Sequence, residues 1–222
     1  LVVDLDPQAN ASMGLGIVDP ALTVGDALAD GRPGVAAEAI VPATWGRSVD
    51  VLPSEPALEH RVSEAAPGSE QRLRTILGGV GHRYELVVVD CPPSRGEMSR
   101  NALHAASQAT VVTEPGYFAL RGAQQALEAI DLVRAEGNPT LQRPSVILNR
   151  VRGTVAEHRA RISELREAFG RQVSEIEIPE RNAIGQAEAA GMPIHVWESP
   201  SGAELAKIFD SLLDRLVPGG LR

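Results

Sequence analysis

Asp4 and Asp6 stand two residues apart at the head of LVVDLDPQAN, directly after the apolar triplet 1–3. An apolar run that ends in Asp-x-Asp puts carboxylates on the turn leaving a buried strand, where they can serve a hard cation or position a water. A second acidic strand end repeats the arrangement: residues 85–90 read ELVVVD and run into Cys91-Pro92-Pro93-Ser94. Runs of Val and Leu without alternation fit parallel strands buried on both faces, so the acids that close them lie at the carboxyl edge of a sheet. Open α/β sheets bind ligands at that edge. One such strand end is common in α/β proteins; two in one chain point to a shared functional edge.

The elements that would position these acids alternate along the 222 residues. Apolar runs predict strands over 49–52, 85–90, 109–113, 145–149, 173–178 and 194–196. Apolar residues near helical spacing predict helices over 69–77, 97–106, 119–135, 155–169 and 203–216. Such alternation argues for an α/β fold with a mostly parallel twisted sheet and helices on both faces. No glycine- or proline-rich linker divides the chain, and its length can bury one substantial core, so a single domain over 1–222 is expected. Thr23 with Asp26 and Ser201 with Glu204 have capping-box spacing. Residues 30–52, rich in Gly, Pro and Ala, are the least regular stretch.

DLDPQANAS at 4–12 and VVVDCPPS at 87–94 together resemble the ParA family of deviant Walker ATPases, which are P-loop NTPases that segregate chromosomes and plasmids. TEPGYFALRGAQQALEAID at 113–131, ILNRVR at 147–152 and the segment 179–194 ending GMPI extend the resemblance over the whole chain. It implies an ATP-dependent dimer switch with ATP and Mg²⁺ as cofactors. Asp6 would orient or activate the attacking water, and Asp4 and Asp90 would hold waters of Mg²⁺. Gln8 and Asn10 would sense the γ-phosphate, while Asn149, Pro179 and Arg181 would flank the adenine. A ParB-like centromere-binding protein, non-specific DNA and a cytoplasmic, nucleoid-associated location are implied as well.

Two departures from the family pattern matter. The family's site begins with a glycine-rich loop carrying two lysines, which cradle the phosphates. Here the one lysine is Lys207, in a late amphipathic stretch without such a loop. Because the sequence opens inside a strand, a first strand, the loop and a first helix, roughly thirty to forty residues, are expected before Leu1. A polypeptide starting at Leu1 is then expected to be marginal in stability and inactive, with activity belonging to the intact parent. The second departure is Glu180-Arg181-Asn182-Ala183-Ile184, which replaces a more basic family segment. DNA contacts are therefore expected of Arg150, Arg152, Arg159 and Arg161, with Arg181 a further candidate. A solvated helix face, in which Glu157, Glu164 and Glu167 pair with these arginines, stands equal to that reading.

The formal charge of −8 opposes a broadly basic protein but not a local patch. Cys91 is the single cysteine, so no internal disulfide forms, and its place reads as packing. His60, His82, His104, His158 and His195 lack zinc-ligand spacing, and Ser94 lacks a nucleophile elbow. No apolar run is long enough to span a membrane, and Asp210 and Asp214 beside the stripe of Ile208, Leu212, Leu213 and Leu216 favour core packing over membrane binding. Three functions remain: a DNA-segregation ATPase answering to a ParB-like partner, a MinD-like or cargo-positioning ATPase, and a non-enzymatic interaction module without a phosphate loop. The acids at both strand ends favour the first two.

Overall fold

The computed structural model describes residues 1–46, 48–58, 68–94 and 96–217. The chain packs as two compact units, one over Leu1–Ala106 and the other beginning at Ser107. The first contains β1 (Val2–Asp4), α1 (Asn10–Gly14), α2 (Val24–Asp30), β2 (Val41–Pro42), β3 (Asp50–Leu52), α3 (Arg72–Ile76), β4 (Val88–Asp90) and α4 (Glu97–Ala105). The second contains β5 (Thr110–Thr113), α5 (Ala119–Glu136), β6 (Ser145–Val151), α6 (Ala156–Phe169), β7 (Val173–Pro179), α7 (Asn182–Ala189) and α8 (Pro200–Leu216).

In the first unit the strand order is β2-β3-β1-β4, with β1 parallel to both β3 and β4 and with β2 antiparallel to β3. Val3, Leu5, Leu28, Leu52, Leu73 and Ile76 are fully enclosed in its core, so β1 is a central, two-sided strand as its unbroken apolar run requires. β4 departs from expectation. It spans three residues rather than six, and Val88 is 48% exposed. Its position at the end of the strand order leaves one side without a partner among the described residues, so the apolar run there is not enclosed.

In the second unit β5, β6 and β7 are parallel in that order. β6 is buried on both faces: Val146 and Leu148 face α5 and α6 through Leu127, Ile162 and Leu165, while Ile147 packs with Leu205 and Leu212 of α8. That burial answers for the apolar stripe of α8, which packs into the core through Ile208, Leu212 and Leu216. No described helix is long and apolar enough to cross a membrane.

Two local expectations are corrected. Residues 194–196 form a 3-10 turn instead of a strand, because the chain leaving Pro193 closes on itself through Val196 N to Pro193 O (3.1 Å) and Trp197 N to Ile194 O (3.2 Å). The last helix begins at Pro200, with Ser199 as its cap accepting from Gly202 N at 2.9 Å, so Ser201 lies inside the first turn. Proline is pre-organised for that position, which outweighs the Ser201–Glu204 spacing. The Thr23–Asp26 capping box forms in full.

α3 has no cap of its own, and a side chain from another helix replaces it. Buried Asn101 on α4 accepts from Leu73 N at 3.0 Å and donates to Glu97 O at 3.2 Å. Asn101→Ala leaves the Leu73 N–H enclosed without an acceptor, and urea denaturation should show a loss of about 1–3 kcal/mol.

Candidate functional site

The two acidic strand ends meet. β1 and β4 run side by side with Asp4 opposite Asp90, and Leu5 N donates to Asp90 O at 2.9 Å, extending the ladder past the last strand residues. Asp4 is fully buried, and its carboxylate is saturated by local donors. Oδ1 accepts from Asp6 N at 3.0 Å, and Oδ2 accepts from Ser12 N at 2.8 Å and Ser12 Oγ at 2.7 Å. Ser12 Oγ in turn accepts from Ser54 N at 3.0 Å, which ties the end of β3 into the same network.

Asp6 is only half-buried. One of its carboxylate oxygens accepts from Gln8 N at 2.9 Å, and its carbonyl accepts from Ala9 N at 2.8 Å. The other carboxylate oxygen has no partner among the described residues and is available to a ligand or a water. Ala9 takes a left-handed conformation (φ 54°, ψ 28°), which costs a residue with a Cβ about 1–2 kcal/mol, and α1 begins immediately after it at Asn10. Gln8 and Asn10 are exposed on this tight turn. Backbone strain of that kind gathers at ligand-handling segments.

Electrostatics at this edge favour a cation. Burial first, then the like charges of Asp4 and Asp6, raise the Asp90 carboxyl above its ordinary value, against a lowering hydrogen bond from Cys91 N. Among the described residues no three His, Cys, Asp or Glu side chains converge as a direct metal cage. Desolvation, then the charges of Asp90 and Asp6, push the Cys91 thiol up to about 12, far from the thiolate a reactive cysteine needs.

Asn149, Pro179 and Arg181 come together at the carboxyl ends of β6 and β7 in the second unit. Pro179 closes β7 opposite Val151, and Asn149 Oδ1 accepts from Arg150 N at 2.9 Å. Arg150 has φ 53°, where the β6–β7 register slips. The arginines read as DNA contacts are largely committed. Arg150 pairs with Glu114 (3.1 Å) and Glu180 (3.2 Å), and Arg152 also binds Glu180, through Nη2 at 3.0 Å and a shorter Nε contact. Arg161 pairs with Glu164 at 2.8 Å and Arg181 with Glu204 at 3.0 Å. Arg159 donates to Gly153 O and meets no carboxylate among the described residues. Among the described residues only Glu164 of the three expected acidic partners is used; Glu114 and Glu180, which follow strands, and Glu204 of α8 serve the other arginines. Glu180 is drawn down to about 2, chiefly by its hydrogen bond to Arg152.

A family model described as an AAA domain matches residues 1–143. The chromosome partitioning protein ParA of Myxococcus xanthus is 33% identical over 210 residues, covering 90% of this chain and 71% of its own. The sporulation initiation inhibitor protein Soj of Bacillus subtilis is 32% identical over 210 residues, covering 92% of this chain and 82% of its own. The chain belongs to the ParA/Soj family of partitioning ATPases. Its fold agrees: McdA of Cyanothece, solved in complex with ATP, superposes with a TM-score of 0.83 at 21% identity, covering 97% of this chain and 84% of that one. This is the α/β architecture of the P-loop NTPases.

Sequence reasoning missed Ser12 and Ser54. Ser12 closes the DPQANAS motif eight residues after Asp4, and a small hydroxyl on the first helix after an acidic strand end was the available signal; Ser54 has none, because its contact spans 42 residues. His60 lies outside the described residues. For Asp90 the sign of the pH effect is definite: a raised carboxyl destabilises the folded state once ionised, and the cost is absent below its ordinary value of 3.8. Asp90→Asn should therefore melt higher than the parent at pH 7, with the difference closing as the pH falls towards 4; equal melting at both pH values would contradict the repulsion.

Proposed function

We propose that this member of the ParA/Soj family is a DNA-segregation ATPase in which the acidic edge of the first unit handles the water and the Mg²⁺ of ATP hydrolysis. The observation that carries this reading is the apposition of Asp4 and Asp90, with Asp6 offering an unengaged oxygen beside them. Asp6 and Asp90 bring carboxylates to one edge beside buried Asp4, with Asp90 raised by burial and then by the charges of Asp4 and Asp6, and such acids suit a hard oxygen-seeking cation. When bound, ATP·Mg²⁺ supplies a γ-phosphoryl group whose transfer asks the protein mainly for position and charge.

The roles follow from the hydrogen bonds. Asp4 was expected to hold waters of Mg²⁺ with Asp90, but its carboxylate is enclosed and both oxygens accept protein donors, so it acts as a positioning residue that fixes the turn carrying Asp6. Asp6 orients the attacking water with its free oxygen. Asp90 holds waters of the cation, and Gln8 and Asn10 report whether the γ-phosphate is present. Asn149, Pro179 and Arg181 line the nucleotide's base. The glycine-rich loop that grips phosphates in the family has no counterpart among these residues, and Lys207 lies in α8. McdA is a relative in fold that binds ATP, and the family placement supports the same cofactor here.

The switch would join two copies on ATP, bind DNA without sequence preference and answer to a ParB-like partner, as a cytoplasmic protein on the nucleoid. Turnover of ATP with Mg²⁺, followed by phosphate release, tests the core of this reading. Asp6→Asn should lower the hydrolysis rate by about 100-fold or more with ATP binding held within a few-fold. Equal turnover in the parent and the variant would remove Asp6 from its role; failure of the parent to bind ATP would instead favour an interaction module.

DNA binding has its own test. Arg152 relies on Glu180 for its carboxylate, whereas Arg150 shares Glu180 but also holds Glu114, so removing the Glu180 charge should free the Arg152 guanidinium for a phosphate. Glu180→Gln should tighten binding to duplex DNA and steepen its salt dependence by about one released counterion. Binding that moves instead to anionic vesicles would favour a positioning ATPase.

A further inference from the structure

The second unit holds a cavity of about 340 Å³ at the amino-terminal ends of β6 and β7, beside the last turn of α8. Ser145 opens β6 at this end and Asn149 lies four residues along it, about 13 Å away at the usual strand rise, so the cavity is separate from the residues assigned to the nucleotide. Its floor is apolar, made by Ile147, Leu212 and Leu216. Its wall carries Arg143, Arg171 and Arg215, three guanidiniums from three different segments.

None of these three arginines makes an ion pair among the described residues, whereas Arg150, Arg152, Arg161 and Arg181 in the same unit each hold a carboxylate. The negative end of α8 gives Arg215 a local reason to be there, but Arg143 and Arg171 lie outside that helix. Three like charges around one concavity repel each other, and an anion removes the repulsion. Guanidiniums also offer paired donors to phosphate oxygens, and three of them exceed what a single carboxylate can use. The volume falls within the range of small-molecule sites, which combine apolar walls with a few convergent polar groups.

We propose that this cavity is a second ligand site, taking a small phosphate monoester with an apolar body: the phosphate meets Arg143, Arg171 and Arg215, and the apolar group rests on Ile147, Leu212 and Leu216. Phenyl phosphate is the probe, titrated into the purified protein and followed by calorimetry and by amide chemical shifts. Saturable binding is expected, with shifts at Ser145, Gln172 and Leu216. Inorganic phosphate should bind about tenfold more weakly, since it buries no ring, and phenol should not bind. Arg171→Ala should weaken phenyl phosphate by about tenfold or more, and Arg143→Ala and Arg215→Ala should act in the same direction. All three side chains are exposed, so the variants should melt like the parent.

Absence of saturation, unchanged affinity in all three variants, or shifts confined to Asp4, Asp6 and Asp90 would overturn the proposal. Inorganic phosphate binding as well as phenyl phosphate, with both displaced by duplex DNA, would mark a nucleic-acid surface and overturn it equally.

Discussion

A carboxylate with no exposure to water must find donors inside the protein, and in this chain Asp4 finds three. Leaving such a charge unpaired would cost several kcal/mol, so the surrounding chain is obliged to bend around it. The Asp6 N–H closes the turn, the Ser12 N–H and hydroxyl draw the start of α1 over the carboxylate, and Ser54 N holds β3 to the same hydroxyl. One side chain thus sets the geometry of a strand end, a turn, a short helix and a neighbouring strand.

The consequence reaches Asp6 and Asp90. With Asp4 anchored in register opposite Asp90, the three acids cannot drift apart to relieve their repulsion, and Asp90 carries the penalty as a raised carboxyl. Of the three, only Asp4 is cut off from water; Asp6 is half-buried and Asp90 exposed, so a cation or a water can reach the outer two.

Much of this was legible in the residues. Unbroken apolar runs announced parallel strands, and β1 and β6 fulfil that pattern with two-sided burial, while the acids that close β1 and β4 meet at one sheet edge. β4 does not, since its enclosure depends on what lies beside it and a strand's own letters carry no such information. Thr23 capped its helix as its spacing foretold, while Pro200 moved the start of α8 two residues earlier than the Ser201–Glu204 pair suggested. Partners distant in the chain were out of reach: Asn101 for Leu73, Ser54 for Ser12, Glu180 for Arg150 and Arg152. The same limit hid the trio Arg143, Arg171 and Arg215, which only the parallel packing of β6, β7 and α8 gathers.

The contrast between Asp4 and the residues that follow it separates what is fixed from what can respond. Asp4 is overdetermined by three bonds, and Asp6 is half held, with one oxygen engaged and one free. Gln8 and Asn10 are exposed on either side of Ala9, whose left-handed backbone is tolerated because the Asp6 carbonyl and carboxylate both pin the turn. A turn that is strained yet exposed has little to lose by changing conformation, so a modest contact is enough to bias it. The gradient from saturated to unsatisfied runs outward from the strand over six residues, from anchored Asp4 through half-held Asp6 to exposed Gln8 and Asn10, which is the order the proposed positioning, water-orienting and sensing roles require.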